Sequence, residues 1–356
     1  MATERRLVVR ALVLAVLVEH VLLVVAPLDV LAPLDPWRIG RHLLHGQLPY
    51  RDFSFEYPPL AAVAFLLPGL GPHGAAKSVL ALQEVAAEAV MVWFVLRGRQ
   101  GAVLRWAVLS LLVFPFLSGG FDALPMAAIA LSTAWLARGE VRGWVAAGVG
   151  ALVKLSPAAA WVWSRARWRA GAAVLAVTVA AALAPLAVAH DATSSYVGYS
   201  LKRGVQVESV AASTTWVADH LTGHPDRYAY RFKSWQIAGG NGAALAWELV
   251  ALAGFVAVAV AAFRRPLDPW LASFTCVLLF LCGSKVLSPQ FMAWGAPLAA
   301  VLGGGWFGAY LVGAGLTFLA YSAASGPGAI LALSLVRNLV LLGIAAAGLR
   351  RLLARA

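Results

Sequence analysis

Long apolar stretches, separated by short polar segments, recur along the whole chain. Many approach the roughly 20 residues that a helix needs to cross a bilayer, and the alternating pattern of membrane β-strands is not seen. The sequence therefore predicts an all-α polytopic membrane protein. After a first apolar run at residues 11–27, the predicted spans are 75–96, 102–118, 121–138, 142–153, 156–166, 169–189, 242–263, 267–283, 287–303, 306–323 and 329–350.

Composition and charge support this class and orient the chain. The chain of 356 residues is 61% hydrophobic and only 12% charged, which excludes a soluble globular protein of this size. The net charge of +12 comes from arginine clusters between apolar runs, as in cytoplasmic loops, so it indicates topology and not a nucleic-acid partner. The first run is interpreted as a retained helix because Glu19 and His20 interrupt it and many spans follow. Residues 27–58 are then expected outside the cytoplasm.

Two segments are too short to cross the membrane. Residues 142–153 and 156–166 are each about half the needed length, so Lys154 is expected at a break between two half-length helices. The stretch "YPPLAAVAFLLPGL", residues 57–70, is expected to begin and end outside, or else to be a short span. Broken segments are tolerated where protein buries them or where they line a wet cavity, so we expect an outward-facing cavity.

Two polar segments are expected outside the membrane. In residues 27–58, the stretch "DPWRIGRHLLHG" predicts an interfacial helix, with Asp35 as its N-cap, Pro36 at its first position and Gly46 after its end. Residues 190–241 form a long second loop with interface-type aromatics. A carboxylate at the water interface can act as a general base on a sugar hydroxyl, while nearby cations hold a phosphate leaving group. This combination suits glycosyl transfer from a lipid-linked phosphosugar.

Four stretches together resemble glycosyltransferase family 87: "DPWRIGRHLLHGQLPYRDFSFEYPPL", "GWVAAGVGALVKLSPAAAWVW", "LKRGVQVES" and "SKVLSPQFMAWGAPL". The resemblance extends from about residue 35 to residue 300. It implies a single GT-C-like domain over residues 1–356, with about 11 to 13 transmembrane helices. It also implies a polyprenyl-phosphate sugar donor, mannosyl donors being best known in the family.

The resemblance also implies the roles of particular residues. Asp35 best matches the family's general base, with Asp29 as the reserve. The alternative for Asp35 is an ordinary helix N-cap, and the two roles can coexist. The expected substrate-binding residues are Arg38, His42, Arg51, Asp52, Glu56, Lys154, Arg203, Glu208, Lys285 and Gln290.

Structural alternatives stand beside these roles. Arg51 and Asp52 can form a loop salt bridge, Lys154 can extend towards the headgroups, Arg203 and Glu208 can be a surface pair, and Lys285 can be an interface anchor. Four intramembrane residues are interpreted as a structural polar network: Glu19, His20, Glu84 and Glu88. No cofactor or metal is expected, because "HLTGH" lacks a third evident zinc ligand; a divalent ion held by carboxylates stays open.

The sequence thus predicts an inverting glycosyltransferase in the cytoplasmic membrane with its site on the extracytoplasmic side. Its expected partners are a polyprenyl-phosphate hexose, a glycolipid or glycan acceptor, and membrane lipids. Mannose is the first candidate for the hexose. A transporter or flippase of a lipid-linked sugar is the alternative, since it would also explain intramembrane glutamates and broken helices.

Overall fold

The computed structural model describes residues 2–27, 35–165, 167–189, 195–225, 227–323 and 326–354. The reserve base Asp29, the residues around it and the first residues of the second loop lie outside these ranges. Two compact units are formed, one by Met1–Ala158 with Ala166–Lys202, the other by Ala159–Arg165 with Arg203–Ala356.

The first unit consists of helices of very different lengths. The helices are α1 (Ala2–Val25), α2 (Pro36–Leu44), α3 (Leu66–Leu70), α4 (Ala76–Met91), α5 (Gln100–Leu117), α6 (Ala123–Leu136), α7 (Val141–Ala151), α8 (Trp168–Val188) and α9 (Tyr196–Lys202). A π-helical turn, Val92–Leu96, extends α4.

The predicted interfacial helix α2 packs on the segment Pro59–Leu70. This segment is a 3₁₀ helix, Pro59–Phe65, followed by α3. Gly40 of α2 meets Gly69 so closely that a Cβ on Gly40 would lie 2.6 Å from the Gly69 Cα, so glycine is required there. At the end of α3, the Trp37 indole N–H donates to the Gly71 carbonyl at 3.0 Å. Twelve residues of this kind cover roughly 20 Å, less than the hydrocarbon core, so the segment is too short to cross a membrane alone.

The second unit combines long helices with a small sheet. Its helices are α10 (Val210–Thr222), α11 (Asn241–Arg264), α12 (Pro269–Gly283), α13 (Met292–Leu302), α14 (Gly304–Ser322) and α15 (Pro327–Leu353). The antiparallel strands β1 (Val205–Gln206), β2 (Tyr228–Arg231) and β3 (Ser234–Ile237) lie in the order β1-β3-β2. The second loop predicted from the sequence therefore contains regular structure.

The helix lengths confirm an all-α polytopic membrane protein. Within the described residues, five helical segments are long and apolar enough to span a bilayer: His73–Leu96, Gln100–Leu117, Trp168–Val188, Asn241–Arg264 and Pro327–Leu353. Pro59–Leu70, Ala123–Leu136 and Pro269–Gly283 are shorter apolar helices.

The predicted half-length helix at residues 156–166 is wrong. Among the described residues 156–165, only Ser156–Trp161 is helical, as a 3₁₀ helix with i to i+3 hydrogen bonds such as Ala158 N–H to Leu155 O at 3.1 Å. Such runs stay short because their hydrogen-bond geometry is poor. A left-handed residue, Arg167 with φ 51°, precedes α8.

Candidate functional site

Asp35 has the N-cap role that the sequence predicted. One carboxylate oxygen, Oδ1, accepts the Arg38 backbone N–H at 2.9 Å, and Pro36 is the first residue of α2. The same oxygen lies 3.9 Å from the His73 Nε2, and the side chain is 48% exposed. Asp35 therefore fixes the start of α2 while its carboxylate remains accessible.

The other α2 candidates lie further along the helix. Arg38 is exposed. One turn later, the half-buried His42 stacks on Phe53, with ring centroids 4.8 Å apart, and its Nδ1 is hydrogen-bonded to Gln47. The second half of α2 is thus attached to the loop that follows it.

In that loop, Arg51 and Asp52 pair with each other. The guanidinium contacts both carboxylate oxygens at 2.9 and 2.8 Å, and the pair is exposed. Asp52 also accepts the Leu48 backbone N–H at 2.7 Å, which closes the turn. The hydrogen bond from Arg51 lowers the pKa of Asp52. The structure therefore contains the loop salt bridge that the sequence offered as an alternative.

Lys154 lies at a break directly after α7, as predicted. Its Nζ is 2.7 Å from both carboxylate oxygens of Asp122, and the side chains are only 12% and 2% exposed. The same Nζ lies 4.9 Å from the ring centroid of Phe121 and 5.8 Å from that of Tyr57. A largely buried cation thus contacts one carboxylate and two aromatic rings, so it is not simply extended into the headgroup region.

The end of the first loop packs beside this cation. The Leu60 backbone N–H donates to the Leu152 carbonyl at 2.9 Å, just before the break. Tyr57 packs edge-on against Phe121 at 4.7 Å, within a buried aromatic cluster that includes Phe55. Burial, and then the negative charge of the half-buried Glu56, raise the pKa of the Tyr57 hydroxyl well above its ordinary value. Glu56 therefore lies near the Lys154 break as well.

The predicted polar network of intramembrane glutamates is confirmed. Glu88 accepts hydrogen bonds from Trp106 at 2.7 Å and Ser110 at 2.9 Å, and its other oxygen is 2.9 Å from the His20 Nε2. Glu84 accepts the backbone N–H of Ala123 at 2.6 Å and so caps α6 from another helix. These carboxylates hold helices together.

In the second unit, Glu208 is buried, which excludes the surface-pair alternative for this residue. Its Oε1 accepts the Tyr321 hydroxyl, and its backbone carbonyl accepts from Arg337 and from Asn338, the latter at 3.1 Å. Burial raises the pKa of Glu208. The other member of the predicted pair, Arg203, donates to the Ser234 hydroxyl at 3.2 Å.

Lys285 and Gln290 flank the turn between α12 and α13. The Lys285 carbonyl accepts the Gln206 N–H at 2.9 Å, which attaches this turn to β1. Partial burial lowers the pKa of the Lys285 ammonium. Gln290 is half-buried in a 3₁₀ turn, Pro289–Phe291, that leads into α13.

Sequence reasoning missed the residues that hold Glu208. Arg337 is 1% exposed in the middle of α15, and Asn338 and Tyr321 complete the arrangement. A signal was present in "SLVRNLV", because a charged residue inside an apolar run is a candidate for a specific role.

The histidine pattern does not form a metal site in the described residues. His220 bonds the Trp216 carbonyl at 3.0 Å and His224 bonds the Thr222 hydroxyl at 2.7 Å, both within one helix end. Among the residues that the structure describes, no group of three or more His, Cys, Asp or Glu side chains is placed to hold a metal ion.

Comparison with known proteins gives one finding. The model of glycosyltransferase family 87 matches residues 55–289, more than half of the chain. This range contains Glu56, Lys154, Arg203, Glu208 and Lys285, whereas Asp35 lies before it. No curated protein and no solved structure gives a significant match. The helices suited to a membrane and this match together show that the chain is a membrane protein belonging to glycosyltransferase family 87.

Proposed function

We propose that this glycosyltransferase moves a hexose from a polyprenyl-phosphate sugar to a glycolipid or glycan hydroxyl on the extracytoplasmic side. Mannose is the first candidate for this hexose. The observation that carries the proposal is the buried Lys154 cation at a break after α7, beside the end of the first loop. An ionisable residue at such a position in a membrane protein is a candidate ligand contact. A lipid-linked phosphate is an anion that a membrane enzyme can bind while the lipid chain stays in the membrane.

In the proposed reaction Asp35 is the general base. Its carboxylate accepts the proton of the acceptor hydroxyl, whose oxygen attacks the anomeric carbon opposite the phosphate. The bond from that carbon to the phosphate oxygen breaks, and the electron pair leaves with the polyprenyl phosphate. Configuration at the anomeric carbon is inverted. The proposal includes no cofactor.

Lys154 is proposed to stabilise the leaving phosphate. Its ammonium would exchange part of its contact with Asp122 for a phosphate oxygen, so that positive charge meets the negative charge that develops in the transition state. The remaining substrate contacts are proposals of the same kind: Arg38, His42 and Glu56 in the first unit, and Arg203, Glu208, Lys285 and Gln290 in the second. Arg51 and Asp52 pair with each other and are not included.

Two features support Asp35 as the base. Its side chain is about half exposed, so an acceptor can reach it, and its capping bond uses one of two carboxylate oxygens. The role itself comes from the resemblance of the first loop to the family, since the matched range begins at residue 55.

The test is Asp35→Asn in membranes supplied with radiolabelled polyprenyl-phosphate mannose. Asparagine keeps an oxygen that can cap α2 but cannot accept the proton, so we expect transfer to fall about 100-fold or more. Asp219→Asn, which removes a carboxylate that is not a candidate, is the matched control and should transfer at the wild-type rate.

Transfer by Asp35→Asn at the wild-type rate would overturn the base assignment. If the wild type transferred sugar from polyprenyl-phosphate arabinose or glucose and none from the mannose donor, only the proposed donor sugar would change. If the wild type transferred no sugar but moved the lipid-linked sugar across the bilayer, the flippase alternative would replace the proposed transfer reaction.

A further inference from the structure

The second unit contains a cavity that the proposed reaction does not use. It has a volume of about 440 Å³ and lies where α11, α13 and α15 end and α12 and α14 begin. We call it the basic cavity; the lining residues used here are Arg265, Asp268, Gly303, Gly304, Trp306 and Arg351.

Two arginines from different helices line this cavity. Arg265 follows α11 directly, and its Nη2 donates to the Leu352 carbonyl near the end of α15. Its Nε is buried and has no hydrogen-bond partner within the described residues. Arg351, in the last turn of α15, is exposed. Two positive charges thus line one cavity, and one of them has a donor without a hydrogen-bond partner among the described residues.

The acidic residue in the lining is already engaged. Asp268 accepts the backbone N–H groups of Trp270 at 2.9 Å and Leu271 at 3.0 Å, and so caps α12. The carboxylate is therefore held at the start of that helix, and the cavity retains an excess of positive charge.

The start of α14 adds backbone donors. Gly303 and Gly304 have φ values of 66° and 53°, which glycine adopts without strain, and no side chain caps this helix. The first N–H groups of a 19-residue helix have no partner within the helix and carry partial positive charge, so they favour an anion. Trp306 supplies an amphipathic ring of the type found at headgroup level.

The basic cavity is separate from the candidate substrate residues of this unit. Asp268 is at the start of α12, whereas Lys285 follows its end. Fifteen helical residues extend over about 22 Å, so a group in the cavity is far from Lys285.

We propose that the basic cavity binds a phosphate-bearing anion, and that this anion is the headgroup of an anionic membrane lipid. Basic pockets between membrane helices bind such headgroups. The volume is that of a small-molecule site, which is enough for a phosphodiester with its attached headgroup.

The experiment measures the thermal stability of the full chain in detergent during titration with phosphatidylglycerol. Phosphatidylcholine is the zwitterionic comparison, and inorganic phosphate against sulfate at equal ionic strength tests the soluble source. We expect saturable stabilisation by phosphatidylglycerol and about fivefold weaker binding for Arg351→Gln. Arg265→Gln should weaken binding at least as much.

Adjacent residues give matched controls. Arg350→Gln and Arg264→Gln remove the same charge from the same helix ends outside the cavity lining, and should bind as the wild type does. Arg351→Gln alone keeps the test valid if Arg265→Gln does not fold, because the hydrogen bond to Leu352 comes from Arg265.

Each outcome decides the proposal. Stabilisation by phosphatidylglycerol that Arg351→Gln weakens and Arg350→Gln does not supports a lipid headgroup. Saturable stabilisation by inorganic phosphate but not sulfate, with the same response to the variants, supports a soluble phosphate compound. Equal effects of the cavity and control variants, or no saturable response to either ligand, would overturn the site.

Discussion

Each unit of the molecule buries a cation, but the two cations are held in different ways. Lys154 in the first unit lies after a helix end and contacts the Asp122 carboxylate and two ring faces. Arg337 in the second unit lies inside α15 and binds the main-chain carbonyl of Glu208 and the side chain of Asn338. The first cation contacts a side-chain carboxylate, whereas the second holds a segment of backbone.

This difference is the reason that Lys154 is proposed as a ligand contact and Arg337 as a structural support. A phosphate can replace a carboxylate beside Lys154, because both are oxyanions and the contact that would be exchanged joins two side chains. Replacing the Glu208 carbonyl beside Arg337 would detach the turn that begins α10. A buried cation in a membrane protein is thus a functional candidate by default, and its partners decide between the roles.

The largest effect is expected from Arg337→Leu. It removes a fully buried cation whose partners remain in place, so we expect the free energy of unfolding to fall by about 3 kcal/mol or more. Arg337→Lys should recover only part of this, since lysine lacks the planar fork. Unfolding in denaturing detergent, followed by circular dichroism, measures the change.

Arg350→Leu is the control for that variant, because Arg350 is exposed near the end of the same helix and should change stability by less than about 0.5 kcal/mol. If Arg337→Leu retained its stability and lost sugar transfer, Arg337 would be a ligand contact, and the two units would not differ as argued.

A double substitution separates the two roles of Lys154. Lys154→Gln should transfer sugar about 100-fold more slowly than the wild type. It should also be less stable, because it leaves the 2% exposed Asp122 without this cation. Asp122→Asn with Lys154→Gln should recover stability, since a neutral pair has no unpaired charge. Transfer should stay about 100-fold below wild type, because the phosphate still lacks its cation.

Sugar transfer from radiolabelled donor and thermal stability are measured on the same membranes. Lys202→Gln, at an exposed lysine, controls for loss of one positive charge. Recovery of transfer together with stability in the double variant would show that Lys154 acts only through Asp122.

Local features of this molecule could be predicted from the sequence. The start of α2 follows from Asp35 and Pro36, and the break at Lys154 follows from two apolar runs that are each too short. Both depend on neighbours within a few residues. The long spans could also be predicted from the sequence, because each is a continuous apolar run.

Partners that are distant in sequence could not be predicted. Asp122 meets Lys154 across 32 residues, and Arg337 meets Glu208 across 129, and no spacing rule encodes such contacts. The hairpin of β2 and β3 was missed because its turn, Phe232 and Lys233 with φ of 49° and 59°, lacks the glycine or asparagine typical of such turns.

A pH titration compares the ionised state of the buried Glu208 with that of the half-buried Glu140. Burial raises the pKa of Glu208, so between its ordinary value of 4.5 and the raised value the folded chain binds more protons than the unfolded chain. Stability should therefore fall as pH rises through this window. Glu208→Gln, which stays neutral, should therefore gain melting temperature relative to wild type as the pH rises above 4.5.

Glu140 is the control of opposite sign. Hydrogen bonds from Arg142 and Arg138 lower its pKa, so its small contribution is present above 4.5 and is lost as pH falls through the lowered value. If Glu208→Gln instead lost stability relative to wild type as pH rose, Glu208 would be ionised in the fold and paired with Arg337 as Asp122 is with Lys154.

The smallest effect is expected at the exposed pair of Arg51 and Asp52. Arg51→Gln removes an ion pair in solvent. It should leave the melting temperature close to that of the wild type and the rate of sugar transfer within about twofold of the wild-type rate. Asp52→Ala should lower the melting temperature more, because it also removes the acceptor of the Leu48 N–H that closes the turn. Both variants are measured in the transfer and melting assays used for Lys154. If Arg51→Gln lost most of its sugar transfer while its melting temperature stayed unchanged, Arg51 would be a substrate contact. An exposed cation would then have the role that is proposed for Lys154, which is to stabilise the leaving phosphate.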